Sequence, residues 1–445
     1  MSIIPQPSLF SWENVERSPE IVRLRRLLDD LPDERLLDAL EAKRNGKRND
    51  YPLRPLWRAS MAQIALGHAH TSTLIRELRR NAELREVCGF DVLAGERAVP
   101  PDYVFSRFGK RLDAHPDLVR EMFKALVAGL GEILAEFGKD LAVDSKALVA
   151  RCACGTDADQ GTKRYESVDK DGTLREQITH WVGWKLHLVV DADTELPVSY
   201  EVTEASAGDS PRLVPLVEDY QKEHPTLAER GETVSADKAY DDGADKARLY
   251  ERDGLVPVIP PRDTTATRAG DGMQALDPAR HDTIYLGATG EVCCRIAPFE
   301  PDPAKAYAPM QFLGYEKDRD AFKFRCPAVA YGIDCDNRAA CRCRPTVREG
   351  RYGRIVRVAR RRDPRTLLPI HPHSRNFAKA YKKRTSVERT FSRLDGVHGF
   401  DAAIVRSRKR METRIGLALI SMLATARSWI EHERPEHMRR ILCAA

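Results

Sequence analysis

The sequence predicts an α/β protein in which an all-α region precedes a mixed sheet with helices, and a β-rich, irregular insertion interrupts that sheet. Two observations support this fold class. Apolar residues recur at helical spacing over about the first 130 of the 445 residues, whereas after Lys139 they form short strand-like runs separated by helices. A later stretch is instead rich in Gly, Pro, Thr and Arg. The predicted segments are 1–130 (helical), 138–261 (first part of the core), 262–372 (Cys- and Arg-rich insertion) and 373–432 (C-terminal core helices).

The first segment carries short helices with basic residues between tight turns. Ile21, Leu24 and Leu28 lie on one side of a helical wheel, and the basic stretch RELRRNAELREV begins at Arg76. This pattern is typical of a helix-turn-helix DNA reader, and it also fits a plain helical bundle. Both interpretations stay open on spacing alone.

The core segment alternates strands and helices. Strands are predicted at 140–144, 181–191, 196–205, 233–237 and 255–260. A helix begins at Asp209 with a capping residue and an early proline, and a second helix follows the fourth strand. From Arg375 the chain is helical again, with Val387, Phe391 and Leu394 on one face. Three strands, a helix, a strand, a helix and a strand indicate a mixed sheet.

Hydropathy and the first residues of the chain bear on its location. No run of about 18 apolar residues exists, so we expect no membrane span. The first twenty residues include polar and acidic side chains and lack an apolar signal core. We therefore expect a cytoplasmic protein associated with the nucleoid.

Positive charge is unevenly distributed. The net charge is only +5, but 15 Lys or Arg against 3 Asp or Glu lie between Pro345 and Leu394. Such a local surplus suits contacts with phosphates. A solvated, Arg-rich linker explains it equally well.

The chain has ten cysteines, and four of them are spaced as Cys326-x8-Cys335-x5-Cys341-x-Cys343. Disulfides are not expected in the cytosol. The four thiols form a candidate zinc site, although structural zinc usually takes pairs two to four residues apart. The alternative is a set of reduced, partly buried thiols.

Two carboxylates share one sequence context. Asp144 and Asp237 each end a predicted strand of small apolar residues. Ligands of α/β sheets gather beyond the carboxyl ends of strands, so these carboxylates converge if the strands are neighbours. Carboxylates at close range repel one another unless a cation lies between them. Mg²⁺ prefers such oxygen ligands, so the pair predicts a divalent metal site.

Glu388 is the candidate for a third acid. It lies on a predicted helix, four residues after Arg384 and three before Phe391. A third carboxylate would complete a two-metal site for phosphoryl transfer. Because cations surround Glu388 in the sequence, surface ion pairs are the alternative.

The segment Tyr381-x2-Arg384-x3-Glu388 resembles the Y-x2-R-x3-E-x6-K signature of bacterial insertion-sequence transposases, which have an RNase H-like fold and a DDE triad. Three further segments are similar to motifs of the same enzymes. These are AVDSKAL around Asp144, SADKAYDD around Asp237 with Ala239 in place of the usual Gly, and GWKLHLVVD with Lys185 and His187. Residues 53–112 resemble the helical N-terminal domain of these elements, so the likeness covers most of the chain.

The resemblance implies a role for each matched position. Asp144, Asp237 and Glu388 would be the catalytic ligands of two Mg²⁺ or Mn²⁺ ions. The implied DNA contacts are Tyr381, Arg384, Lys185, His187, Lys238 and Tyr240; for His187, a strand residue facing solvent or a neighbour is the alternative. The implied partners are double-stranded DNA, as terminal repeats and as target, and a second subunit on paired ends.

One position departs from the signature. The signature expects a lysine after the six residues that follow Glu388, and this chain has Asp395 at that position. Arg393, Arg389 or Lys383 are the candidates to replace that lysine at the DNA backbone; otherwise DNA handling is impaired.

The expected function is metal-dependent cleavage at element ends and transfer of the 3′-OH into target DNA. The alternatives are a nuclease or resolvase without strand transfer and an inactive DNA-binding repressor or relic.

Overall fold

The computed structural model describes residues 18–43, 51–150, 157–168, 174–264, 272–277, 281–336, 353–400, 404–432 and 434–439.

Helices make up the N-terminal part of the structure. They are α1 (Pro19–Asp29), α2 (Glu34–Ala42), α3 (Leu53–Ala65), α4 (Thr71–Arg80), α5 (Ala82–Cys88), α6 (Asp102–Leu112) and α7 (Pro116–Ile133). The apolar residues of α1 that define its predicted face are buried, including Ile21, Leu24 and Leu28. The helical prediction for this region is therefore confirmed.

A mixed sheet follows. Its strands are β1 (Asp140–Val149), β2 (Asp159–Val168), β3 (Leu174–Asp191), β4 (Pro197–Glu204), β5 (Thr233–Ser235) and β6 (Val256–Val258). The long β3 pairs antiparallel with β2 along its first half and with β1 and β4 along its second half. On the far side of β1, β5 and β6 continue the sheet in parallel. This topology confirms the predicted mixed α/β fold.

Two features of the sheet differ from the sequence prediction. The first strand does not end at Asp144 but continues to Val149, because β3 is long enough to pair with it as far as Gly183. The hairpin strand β2 was not expected, since its residues DQGTKRYESV lack an alternating apolar pattern. Pairing with β3 along its whole length explains why this polar segment is a strand.

Helices cover the sheet and close the core. They are α8 (Leu213–Glu223), α9 (Pro225–Ala228) and α10 (Gly243–Glu251). In the chain, the β-rich insertion follows β6 and precedes the C-terminal helices. None of the described helices is long and apolar enough to cross a membrane.

The insertion forms two small antiparallel sheets with a hydrophobic cluster of their own. One contains β7 (Gln274–Asp277), β8 (His281–Leu286), β9 (Val292–Arg295) and β10 (Tyr307–Pro309), and the other β11 (Gln311–Glu316), β12 (Ala321–Arg325) and β13 (Ile355–Ala359). Two short helices accompany them, α11 (Pro303–Ala306) and α12 (Pro327–Tyr331). The buried Asp241 accepts hydrogen bonds from Arg365 Nη1 (2.6 Å) and Arg262 N (2.7 Å). These bonds join the insertion to the end of the core sheet.

The chain returns to the core as α13 (Arg375–Tyr381), a 3₁₀ turn (Lys382–Arg384), α14 (Thr385–Gly396) and α15 (Arg408–Glu431). Helix α15 is buried along most of its length and packs against α7, α3 and α1. One continuous hydrophobic core therefore joins the N-terminal helices, the sheet and α15. Helix α14 lies against β1 and β3, which brings its charged side chains to the sheet residues that matter for the site.

Candidate active site

Asp144 lies on β1, and Asp237 lies two residues beyond the end of the neighbouring parallel strand β5. The register pairs Leu141 with Val234 and Ala142 with Ser235. Continued by two residues, the same register places Asp237, just beyond the end of β5, opposite Asp144. The sequence analysis left open whether these two strands are neighbours, and the pairing of β1 with β5 shows that they are. Asp237 also accepts a hydrogen bond from the backbone N–H of Ala239 (2.5 Å), which fixes the turn that follows β5.

Helix α14 brings Glu388 to the same place through Arg384. The Arg384 guanidinium contacts Asp144 Oδ2 with Nη1 (3.3 Å) and Glu388 Oε1 with Nη2 (2.7 Å). The spacing of four residues allows the second contact, because residues i and i+4 are neighbours on a helix. Arg384 also lies over the ring of Tyr381, 5.6 Å from its centroid, and that ring stacks on Phe377. Tyr381 and Arg384 are thus held in one half-buried layer beside Asp144.

The three acids influence one another electrostatically. The pKa of Asp144 is raised to about 6, chiefly by burial and also by the negative charges of Asp237 and Glu388, against the opposing effects of the Ser145 N–H and Arg384. Burial also raises the pKa of Tyr381, to which Asp237 and Asp144 contribute. Three carboxylates with one guanidinium among them form a site that favours additional positive charge.

The donor chemistry of this site fits a divalent ion, but the three carboxylates are not arranged as a set of metal ligands. Carboxylate oxygens are the ligands that Mg²⁺ and Mn²⁺ prefer. Within the described ranges, however, no three His, Cys, Asp or Glu side chains are arranged to bind a metal ion. The Arg384 guanidinium lies between Asp144 and Glu388 instead. A metal ion at this place would therefore compete with Arg384 for the same carboxylates.

Lys185 and His187 form an internal network rather than a groove surface. Lys185 Nζ donates to Ala207 O (2.7 Å) and to Asp209 Oδ1 (3.1 Å). His187 is fully buried, and its Nε2 lies 2.9 Å from Thr203 Oγ1. Burial lowers the pKa of His187 to about 4, so its ring is neutral at physiological pH. The predicted DNA contact does not fit the position of His187, because its ring is fully buried against Thr203; the alternative of a strand residue facing a neighbour does.

The other predicted DNA contacts divide by burial. Lys238 is exposed just after Asp237, as a DNA contact requires. Tyr240 is buried, and its pKa is raised by burial and by the nearby Asp209, Asp144 and Asp237, so it lies behind the acids and not on the surface. The Arg393 guanidinium donates to Glu195 O and to Thr390 Oγ1 (3.1 Å). A DNA contact by Arg393 does not fit this arrangement.

Asp395 meets a residue that the sequence interpretation did not select. Its Oδ2 accepts a hydrogen bond from Lys146 Nζ at 2.5 Å. The available signal was the position of Lys146 two residues after Asp144, which places both side chains on one face of β1. The sequence interpretation instead selected basic residues that lie nearer to Asp395 in the chain than Lys146 does.

The zinc prediction lies partly outside the described residues. Cys341 and Cys343 are not among them, whereas Cys326 is buried and Cys335 partly buried. Upstream, burial raises the pKa of the Cys293 thiol to about 12. Zinc binding therefore stays a prediction.

Comparison with known proteins decides the family. Residues 141–424, more than half of the chain, match the family described as "Transposase DDE domain". The chain belongs to this family. It is thus a DNA transposase, an enzyme of DNA cleavage and strand transfer, in a family that uses divalent metal ions. The matched range begins in β1 and ends in α15, so it contains all three candidate acids and the insertion.

No protein of curated function matches the transposase in sequence. Among solved structures, a cryo-EM structure of the piggyBac transposase synaptic complex with hairpin DNA aligns with 96% of this chain and 80% of its own. The two chains are 12% identical and the TM-score is 0.38.

Proposed function

We propose that Asp144, Asp237 and Glu388 are the catalytic carboxylates of this transposase and hold two Mg²⁺ or Mn²⁺ ions. The observation that carries the proposal is the convergence of three chain segments. The β1–β5 register sets Asp237 opposite Asp144, and Arg384 joins Asp144 to Glu388. When bound, such ions activate the attacking oxygen and stabilise the leaving oxygen of a phosphodiester.

The protein side chains then have defined tasks. Arg384 leaves the carboxylates and binds phosphate oxygens with its planar fork, while its stacking on Tyr381 limits the distance it moves. The exposed Lys238 binds the backbone on the Asp237 side. A phosphodiester at the element's end is hydrolysed to free a 3′-OH, and that 3′-OH attacks a phosphodiester of target DNA in a second exchange.

The proposed substrate and assembly follow from this chemistry. The substrates are the terminal repeats of an insertion sequence with a Y-R-E-K-type transposase, and target DNA. The N-terminal helices of segment 1–130 and the Arg-rich part of insertion 262–372 contact duplex DNA. Paired ends require at least two subunits, so a homodimer forms on DNA, in the cytoplasm at the nucleoid.

The direct test is cleavage of end DNA by Asp144→Asn. The change keeps the shape of the side chain and removes its charge, so Mg²⁺-dependent cleavage is expected to disappear. Asp140→Asn is the matched control, because Asp140 lies on the same strand but pairs with Lys383 (2.6 Å). Cleavage by Asp144→Asn at the wild-type level would remove Asp144 from the site.

A joining assay tests the second step. A duplex with a free 3′-OH at the transposon end and a plasmid target are incubated with Mg²⁺. The transposase is expected to join them, whereas a nuclease or resolvase would only cut.

Metal analysis of the purified protein separately tests the predicted zinc site of Cys326, Cys335, Cys341 and Cys343.

A further inference from the structure

Lys146 and Asp395 extend the row of charged contacts between β1 and α14. Lys146 follows Asp144 by two residues, so the two side chains leave the same face of the strand about 7 Å apart. Asp395 follows Glu388 by seven residues, which is two helical turns along the same face of α14. The Arg384 bridge and the Lys146–Asp395 pair are therefore successive contacts along one strand–helix interface.

The other cations proposed from sequence to serve at this position have different partners. Arg389 Nε donates to Glu195 Oε1 at 2.5 Å, and Arg393 also contacts Glu195. Lys383 Nζ contacts Asp140 (2.6 Å) and Asp193 (2.9 Å). These three side chains hold parts of the fold together. Lys146, by contrast, lies on the strand of Asp144 itself.

The environment of Lys146 allows it to accept a further ligand. Its side chain is 22% exposed, and that of Asp395 is 23% exposed. An ammonium group has three N–H donors. The bond to Asp395 uses one of them and orients the ammonium, and no other described residue accepts a hydrogen bond from it, so another anion can bind there.

We propose that Lys146 binds a backbone phosphate of the DNA strand held at Asp144, and that Asp395 positions its ammonium group for this contact. This inference rests on the proposed function, since it takes Asp144 as the place where the strand is cut. A DNA strand adds negative charge to a site that already has three carboxylates. An oriented cation two residues from Asp144 offsets that charge where the phosphates arrive.

The same arrangement gives a physical meaning to the departure at Asp395. Where the Y-R-E-K signature has lysine on the helix, this chain has an acid on the helix and a lysine on the facing strand. The amine therefore reaches the same interface from β1 instead of α14. DNA handling is preserved in this arrangement, with the cation moved to a different element.

The test measures salt dependence of binding to a duplex made from the DNA that flanks the gene. Each phosphate contact contributes close to 1 to the slope of log K against log salt concentration, about 0.9 for duplex DNA. Lys146→Ala is expected to lower that slope by about 1 and to slow Mg²⁺-dependent cleavage about 10-fold, whereas Lys146→Arg keeps the wild-type slope. Asp395→Asn is expected to slow cleavage less than Lys146→Ala, because it leaves the ammonium present but less well oriented.

Lys124→Ala is the matched control. Lys124 makes an ion pair of similar length, 2.7 Å, with Glu223 between α7 and α8, so this variant also loses one charge and one ion pair. Its salt slope is expected to equal that of the wild type. The proposal is overturned if Lys146→Ala has the same slope and cleavage rate as Lys124→Ala.

Two additional variants keep the result interpretable. If Lys146→Ala unfolds at lower temperature than the wild type, Lys146→Gln is compared at a temperature where both are folded; an unchanged slope again overturns the proposal. The exchange Lys146→Asp with Asp395→Lys restores the ion pair with the amine on α14, and cleavage should recover relative to Lys146→Ala. Failure of the proposed function would differ: Asp144→Asn would then cleave like the wild type, whatever the salt slope of Lys146→Ala.

Discussion

The two sides of α14 carry similar charged residues but serve different purposes. Toward β1, Glu388 and Asp395 accept hydrogen bonds from Arg384 and Lys146, and both contacts lie near Asp144. Toward the turn between β3 and β4, Arg389 and Arg393 contact Glu195. In the proposed function, the first side exchanges its partners for substrate, whereas the contacts of the second side hold the helix against the turn between β3 and β4.

Burial and backbone geometry explain the difference. The Glu388 side chain is 49% exposed, whereas that of Glu195 is only 7% exposed. Glu195 also has a positive φ of 61°, a conformation that non-glycine residues adopt at a cost. The carbonyl of Glu195 accepts hydrogen bonds from Thr390 and Arg393, which hold this turn in place. A cation-rich helix therefore does not identify its own DNA contacts; the partners of each side chain do.

The largest expected effect is on catalysis, on the β1 side. Glu388→Gln keeps the length of the side chain but removes a carboxylate from the site. Loss of one proposed metal ligand should cost several kcal/mol of transition-state stabilisation, or about a 1000-fold slower cleavage rate. Cleavage of end DNA under single-turnover conditions measures it.

Stability and DNA affinity of Glu388→Gln provide the control. Because Glu388 is half exposed, the free energy of unfolding should change by less than about 1 kcal/mol. DNA affinity should be unchanged or slightly higher, since a negative charge is lost. If the folded Glu388→Gln variant cleaves at the wild-type rate, Glu388 takes part only in a surface ion pair and is not a catalytic residue.

The next effect is on stability, on the Glu195 side. Arg393→Ala removes one of the guanidinium groups that neutralise the buried Glu195 carboxylate and leaves its carbonyl with fewer donors. Breaking a buried ion pair typically costs 3–5 kcal/mol, and the remaining Arg389 and Arg439 reduce the expected loss to about 3 kcal/mol. Urea denaturation measures it. Unchanged stability together with a smaller salt slope of DNA binding would instead make Arg393 a DNA contact.

The sequence was sufficient for the elements whose pattern is local. The helical N-terminal region, the strands around Asp144 and Asp237, and the helix of Glu388 were all predicted, because apolar spacing determines them. Strand β2 was missed, since it is stabilised by pairing with β3 and has no apolar face of its own. Its hydrogen bonds depend on a long-range partner that single-sequence spacing does not show.

The candidate site was predictable as a set of acids but not as a set of contacts. Motif order identified Asp144, Asp237 and Glu388, and the register then set Asp237 opposite Asp144. Burial of His187 and the Glu195 contacts of Arg393 depend on how β3, β4 and α14 pack, which no motif encodes. Lys146 was overlooked for the same reason, because its partner lies 249 residues away.

The free energy of unfolding should also depend on pH, through a buried histidine near the end of α14. His398, just after the end of α14, is buried with its Nδ1 3.1 Å from Ile64 O, and burial lowers its pKa from 6.5 to about 4. The unfolded chain therefore binds a proton near pH 6.5 that the folded chain does not bind until near pH 4. The stability contributed by neutral His398 is complete above pH 6.5 and is lost as pH falls toward 4.

The expected size of this loss is about 2 kcal/mol between about pH 6.5 and about pH 5. His398→Asn has no proton to gain, so its free energy of unfolding should change less over this range. Urea denaturation of both proteins at the two pH values provides the comparison. Parallel losses in wild type and variant would show that other groups cause the pH dependence.

The smallest effect distinguishes the two states of Arg384, paired with the acids or released to substrate. Arg384→Ala removes contacts to Asp144 and Glu388, so the metal-free protein should lose about 1 kcal/mol of stability through charge repulsion and lost hydrogen bonds. The same change leaves the carboxylates free for a cation, and ligand binding to the folded state alone raises stability. Mg²⁺ should therefore raise the thermal midpoint of Arg384→Ala more than that of the wild type, while DNA affinity falls. If Mg²⁺ stabilises both proteins equally, Arg384 does not compete with the metal, and its bridge between Asp144 and Glu388 belongs with the fixed contacts of the Glu195 side.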